Sequence, residues 1–295
     1  MPDRGQHARL DVRKTYKLFI GGAFARSESG RSYPVTGRRG DLLAHAAWAS
    51  RKDARDAVLA ARKAMPGWSG ATAYNRGQVL YRVAELLEGR SAQFADEAVR
   101  AGGIGPARAA QQVAAAIDRW VWYAGWPDKI AQISGAANPV AGPYFNLSVP
   151  EPTGVVALLA PAAASLLALV SVLAPVIATG NTAVLVASEQ APLAAISLAE
   201  VLATSDVPGG VVNVLTGRTA ELAPVLAAHM DVNAIDLTGA VPADRAGLEE
   251  AAAGNVKRVY AAGRDWAAED WTVTPSLGRM LAFLETKTVW HPIGT

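Results

Sequence analysis

From Pro152 to Ser188 the chain carries no Asp, Glu, Lys, Arg or His, an uncharged run of 37 residues. Pro161, Pro175 and Gly180-Asn181 divide this run into a strand over 155–159, a helix over 165–179 with a proline inside it, and a strand over 183–186. None of these pieces offers the roughly 20 uninterrupted apolar residues that a membrane span needs, so the pattern predicts a buried β-α-β core instead. Further apolar runs at 211–215, 234–237 and 256–260 predict strands, separated by segments rich in Ala and Leu with helical character. Strand and helix alternating in this way predict an α/β fold with a doubly wound parallel sheet.

Upstream the period changes. Between Arg51 and Ile130 the apolar positions repeat at helical spacing: Val79, Leu80, Val83, Leu86 and Leu87 share one face, as do Val113, Ile117, Trp120 and Ala124. Ser50 followed by Asp53 resembles a capping box, and Gly102-Gly103-Ile104-Gly105-Pro106 breaks two helices apart. The segment Tyr144-Phe145-Asn146-Leu147-Ser148-Val149 alternates large and small groups before Pro150, as an exposed two-sided strand does.

Several phrases together resemble the aldehyde dehydrogenase superfamily. They are Glu151-Pro152-Thr153-Gly154-Val155-Val156, Ala174-Pro175 with Gly180-Asn181-Thr182, Ser188-Glu189-Gln190, and the run from Val207-Pro208-Gly209-Gly210 through Asn213 to Thr216-Gly217. Lys17-Leu18-Phe19-Ile20-Gly21-Gly22 is similar to the family's N-terminal hairpin, and Tyr123-Ala124-Gly125-Trp126 to its long helix. The resemblance covers about residues 17 to 259. It implies a Rossmann-like nicotinamide-binding domain, a separate domain carrying a nucleophilic cysteine, and a small β oligomerisation element.

Against that pattern the chain departs at several chemical positions, while Glu189, which the resemblance sets at the ribose, remains. It has no cysteine. Alignment puts Ala163 where the family has its oxyanion-binding asparagine, and a methyl group cannot donate a hydrogen bond. Ala262 falls at the general-base glutamate, and Val186 at a lysine that holds the adenosine ribose or its phosphate. Ala240 and Asp244 replace a serine and a glycine near the diphosphate, and Asp244 sets a carboxylate where an anion would approach a helix N-terminus. Between Ala262 and Trp271 only residues 263–270 intervene before the interface-strand-like run at 281–292, so the thiol-bearing domain is skipped at this point. No catalytic residue is expected. Glu189, Thr238 and Gly239 are the candidate vestiges of a cofactor site, with no cofactor expected and residual NAD or NADP binding as the alternative.

These readings give a flexible arm at 1–15, a dinucleotide-binding-like domain formed by 16–142 and 152–268, and oligomerisation strands at 143–151 and 272–295. The resemblance points to intersubunit pairing with a full-length aldehyde dehydrogenase paralogue or with itself. Tyr144, Phe145, Leu147, Val149, Leu284, Thr286, Thr288 and Trp290 are the contacts, and an intramolecular hairpin is the competing arrangement.

Composition adds exclusions. The sequence is 51% hydrophobic and 18% charged, which argues for a packed core over disorder. Its 28 basic and 26 acidic groups nearly cancel, and no basic stripe interleaves with aromatics, so nucleic acid is not an expected partner. The basic arm lacks the apolar run of a secretory signal, which makes the cytoplasm the default location. His7, His45, His229 and His291 are scattered, so no metal site is expected. His229, Asp231 and Ser205 lack an elbow turn that would make them a hydrolase set, and Trp120, Trp122, Tyr123 and Trp126 read as packing. The expected function is that of a non-catalytic subunit assembling with an active enzyme, with a nucleotide-binding oxidoreductase subunit or cofactor sensor as the alternative.

Overall fold

The computed structural model describes residues 12–162, 165–261 and 270–293. The chain opens with β1 (Thr15–Tyr16), β2 (Leu18–Ile20), β3 (Ala23–Ala25), β4 (Ser32–Thr36) and β5 (Leu42–Ala47). Gly21 and Gly22 take φ of +63° and +86° at the β2–β3 turn, a region closed to most side chains. Four long helices follow: α1 (Arg51–Gly70), α2 (Ala73–Glu88), α3 (Ser91–Gly102) and α4 (Pro106–Ala124). The Ser50/Asp53 capping box is present at the start of α1, and the Gly-Pro run separates α3 from α4. Next come α5 (Ile130–Ser134), β6 (Ala136–Asn138) and β7 (Tyr144–Pro152).

The uncharged run forms β8 (Val155–Leu159), α6 (Leu166–Ala178) and β9 (Thr182–Val186), and every residue of these three elements is buried. It is followed by α7 (Leu193–Leu202), β10 (Val212–Leu215), α8 (Thr219–Ala228), β11 (Ala234–Asp236), α9 (Arg245–Ala253), β12 (Arg258–Tyr260), α10 (Gly278–Leu281) and β13 (Leu284–Pro292).

The main sheet has seven strands in the order β12-β11-β8-β9-β10-β2-β3. The run from β12 to β10 is parallel, and β2 and β3 add antiparallel at one edge. The chain winds from β8 outward through β9 and β10, then returns to build β11 and β12 on the other side. Alternate side chains of each strand point to opposite faces. Val156, Leu158, Ala183 and Leu185 therefore pack with Leu169 of α6, Leu198 of α7 and Trp120 of α4, in one core. Val155, Ala157, Leu159 and Val184 pack with Ala57 of α1, Leu222 of α8 and Leu248 of α9, in a second. This is the doubly wound α/β architecture that the sequence pattern predicts.

A separate three-stranded sheet has the order β13-β7-β6. β13 pairs antiparallel with β7 of its own chain over nine positions, from Leu284 opposite Pro152 to Pro292 opposite Tyr144. Tyr144, Phe145, Leu147, Val149, Leu284, Thr286, Thr288 and Trp290 thus lie on two strands that pair within one protomer. The reason lies in how the C-terminal segment is fixed. The carbonyl of Phe283 accepts hydrogen bonds from Thr153 N at 3.2 Å and from Asn181 Nδ2 at 2.8 Å, so β13 starts beside β7. Asn181 also accepts from Gly154 N at 2.7 Å and donates to Thr179 Oγ1 at 2.7 Å. One buried amide of the Gly-Asn-Thr phrase ties the last strand to the core sheet.

Candidate functional site

In an open parallel sheet, ligands bind outside the carboxyl ends of the strands where the winding reverses. Here that point lies between β8 and β11. Leu237, Thr238 and Gly239 leave β11 there, facing Leu159 and Ala160 at the end of β8.

The crevice is closed by the chain itself. Gly239 N donates to Leu159 O at 3.0 Å, and a Cβ added at Gly239 would lie 2.0 Å from Ala160 O. Only glycine fits, and its amide is already used. Thr238 is fully buried; its N–H donates to Asp236 Oδ1 at 2.8 Å and its hydroxyl to the same oxygen. Thr238 and Gly239, expected at the nucleotide, are turned into the fold, because the aspartate at the end of β11 draws the turn's donors inward.

Asp236 itself is 0% exposed and forms an ion pair with Arg279 of α10, which is 6% exposed. Nη1 of Arg279 also donates to Thr238 Oγ1 at 3.0 Å. Its guanidinium carbon lies 4.4 Å from the centre of the Tyr260 ring and 5.5 Å from that of Trp271. A second buried cation, Arg119 of α4, donates to Ser171 Oγ at 2.7 Å and to the carbonyls of Trp271 and Val273 at 2.8 and 2.9 Å. Two arginines therefore fasten the 271–279 segment across the carboxyl edge of the sheet. Sequence reading missed both, although an aspartate inside the apolar phrase Ala234-Ile235-Asp236-Leu237 is the kind of buried charge that demands a partner.

Glu189 lies apart from Thr238 and Gly239 in a pocket of about 160 Å³ with Tyr33, Trp48, Gly217 and Arg218. Its Oε1 accepts from Thr219 N at 2.6 Å, so the carboxylate caps α8. Arg218 stacks over Trp48 at 4.8 Å, and burial together with the nearby Glu189 charge pushes the Tyr33 phenol up to about 12. Val186 is 1% exposed in β9 and offers no polar atom on its side chain. Asp244 closes a short 3₁₀ turn at the start of α9, at the rim of a cleft of about 410 Å³ between α8 and residues 240–248. Ala163 and Ala262 lie outside the described residues.

A nicotinamide dinucleotide, the group this fold implies, does not fit the residues present. Thr238 and Gly239 spend their N–H donors on Asp236 and Leu159, and the positions that the resemblance sets near the diphosphate carry the methyl of Ala240 and the carboxylate of Asp244. The other constellations also resolve into structure. Ser205 is fully buried and donates to Leu202 O, while His229 Nδ1 accepts from Asp231 N at 3.1 Å. Trp120 and Tyr123 are core residues, and Trp122 packs against Tyr123 and Trp126 at ring distances of 4.8 and 5.2 Å. No described helix is long and apolar enough to cross a membrane.

Comparison with known proteins gives the same ancestry. The aldehyde dehydrogenase family profile matches residues 24–263. Mouse cytosolic 10-formyltetrahydrofolate dehydrogenase is 33% identical over 259 residues, covering 85% of this chain and 28% of that protein. Aldehyde dehydrogenase family 2 member B4, mitochondrial, from Arabidopsis thaliana is 35% identical over 250 residues, covering 82% and 45%. Among solved structures, a putative aldehyde dehydrogenase from Burkholderia cenocepacia superposes with a TM-score of 0.79 at 30% identity, covering 83% of this chain and 50% of that one. The NAD+ complex of an aldehyde dehydrogenase from Bacillus cereus gives 0.77 at 26% identity, covering 83% and 50%. The chain thus spans half or less of each of these relatives. It belongs to the aldehyde dehydrogenase family.

Proposed function

We propose that this chain is a non-catalytic structural or regulatory subunit that assembles with a full-length aldehyde dehydrogenase. The observation that carries the reading is the Asp236–Arg279 ion pair and the segment it holds. These groups occupy the carboxyl edge of the sheet, where a ligand would approach, while the nine-residue strand β13 leaves one edge of its sheet unpaired. The chain has no cysteine to serve as the family's nucleophile, and Ala240 and Asp244 replace the serine and glycine that the resemblance sets near the diphosphate. The proposed place of action is the cytoplasm.

One observation favours a second reading, a subunit that still takes up NAD or NADP. The cleft between α8 and residues 240–248 is lined by Ala220, Ala223, Pro224, Val241 and Leu248, a surface suited to a flat ring. Calorimetric titration of the purified chain with NAD and with NADP separates the two. The first reading expects no heat of binding, and micromolar affinity overturns it as stated. Affinity capture by the tagged chain in its host, with the recovered proteins identified by mass spectrometry, tests the assembly itself. A full-length aldehyde dehydrogenase is the expected partner, and a partner set without one contradicts the proposal.

A further inference from the structure

Two recesses beside the start of α1 share one residue, Arg31. The larger, about 810 Å³, is lined by Arg31, Arg51, Lys52 and Arg55 together with Glu28 and Glu221. The smaller, about 260 Å³, adds Lys17 and Arg26 and has no carboxylate among the described residues that line it. Six cations thus stand with two acids, a surplus of four positive charges, whereas the whole chain carries a formal charge of only +2. The rest of the molecule is therefore net negative, and the positive charge is gathered in this one band.

The chain does little to neutralise these groups. Of the six, only Lys52 has a carboxylate within ion-pair reach among the described residues, Glu28 at 3.9 Å. Both acids are held by neutral donors, Glu28 by the Ser50 hydroxyl at 3.1 Å and Glu221 by the Trp48 indole N–H at 3.2 Å. Arg51, Lys52 and Arg55 also fall in the first two turns of α1, at the positive end of its dipole, where cations destabilise a helix. Asp53 is the acid of that first turn, and its oxygens are taken by Ser27, Glu28 N and Ser50 N. A local rule broken without compensation inside the fold marks a binding site. Arg31, common to both recesses, is held with its guanidinium carbon 5.2 Å from the centre of the Trp48 ring, which also carries Arg218 at 4.8 Å.

Four of the six cations are arginines, whose planar forks take phosphate oxygens in pairs. Linked phosphates bring several negative charges in a short length, as a surplus of this size requires, and the larger recess has the volume of a small-molecule site. We propose that this band binds a triphosphate group, free or carried by a nucleotide, with Arg31 shared between the two recesses. It shares no lining residue with the cleft between α8 and residues 240–248, so it stands or falls apart from the cofactor and assembly readings. Calorimetric titration of the purified chain at low ionic strength, with sodium tripolyphosphate and separately with ATP, tests it. Both are expected to bind one to one; equal affinities place recognition in the phosphates alone, and tighter ATP binding assigns the ligand to a nucleotide. Arg51→Glu with Arg55→Glu is expected to weaken both by about tenfold or more. Glutamates there favour the start of α1, so this variant is expected to fold, with circular dichroism as the check. Lys17→Glu with Arg26→Glu probes the smaller recess independently and is expected to weaken both ligands as well. Arg38→Glu with Arg108→Glu, the same charge change outside the band, is expected to leave both affinities unchanged. No heat with either ligand, or equal weakening by the control variant, overturns the proposal. So does a hexaglutamate peptide that binds as tightly as tripolyphosphate, since the band would then be a surface for acidic protein segments.

Discussion

Asp236 and Arg279 bury opposite charges against each other where water cannot replace either partner. Removing one leaves the other stranded, so Asp236→Ala is expected to lower unfolding stability in chemical denaturation by about 3–5 kcal/mol. Exchanging both for apolar groups, Asp236→Leu with Arg279→Met, is expected to recover most of that loss, since the pair's desolvation cost disappears with it. Tyr33 offers a pH signature. Burial first, and the Glu189 charge second, raise its pKa to about 12, so the folded form holds its proton longer than the unfolded chain, whose tyrosines titrate near ~10. Its contribution to stability is therefore complete below that unfolded value and is lost as pH climbs toward the folded one. Spectrophotometric titration should find one tyrosine ionising near the raised value, and Tyr33→Phe should abolish it. Residue chemistry was the least legible level in the sequence. The Glu189, Thr238 and Gly239 phrases mark ancestry, but Asp236 decides which way the turn's donors point, and its partner lies in a distant helix.

At the scale of elements the pattern was far more informative. The uncharged run produced β8, α6 and β9 within a residue or two of the expected bounds because complete burial on both faces leaves no room for charge. β11 ends one residue before its apolar run does, and β12 begins two residues into its own, after Val256 takes a φ of +58°. Hydrophobic periodicity could not tell that β7 would find β13 in its own chain. That choice is made by Asn181, Thr153 and the two buried arginines, each acting over a long sequence separation. The start of α1 shows how much one local residue can hold. Asp53 accepts from Ser50 N and Ser27 Oγ at 2.7 Å each and from Glu28 N at 3.1 Å, joining the helix cap to the loop after β3. Asp53→Ala is expected to cost about 2 kcal/mol by thermal or chemical unfolding, more than the ~1 kcal/mol of an ordinary cap.

For the whole molecule, the same closure that removes the ligand crevice also fixes the last strand. Residues 271–283 are pinned by Arg119 and by the Arg279–Asp236 pair near the carboxyl end of β11, and reach Thr153 and Asn181 before the amino ends of β8 and β9, where β13 meets β7. Restoring a single lost group is therefore expected to do nothing: Ala163→Asn alone should give no aldehyde oxidation, because nucleophile, oxyanion donor and base act as a unit. The most direct test of the account is the simplest one. The purified chain is mixed with a panel of aldehydes and NAD or NADP, and coenzyme reduction is followed by absorbance. No reduction above the protein-free rate is predicted; steady turnover that scales with the amount of this chain would contradict it.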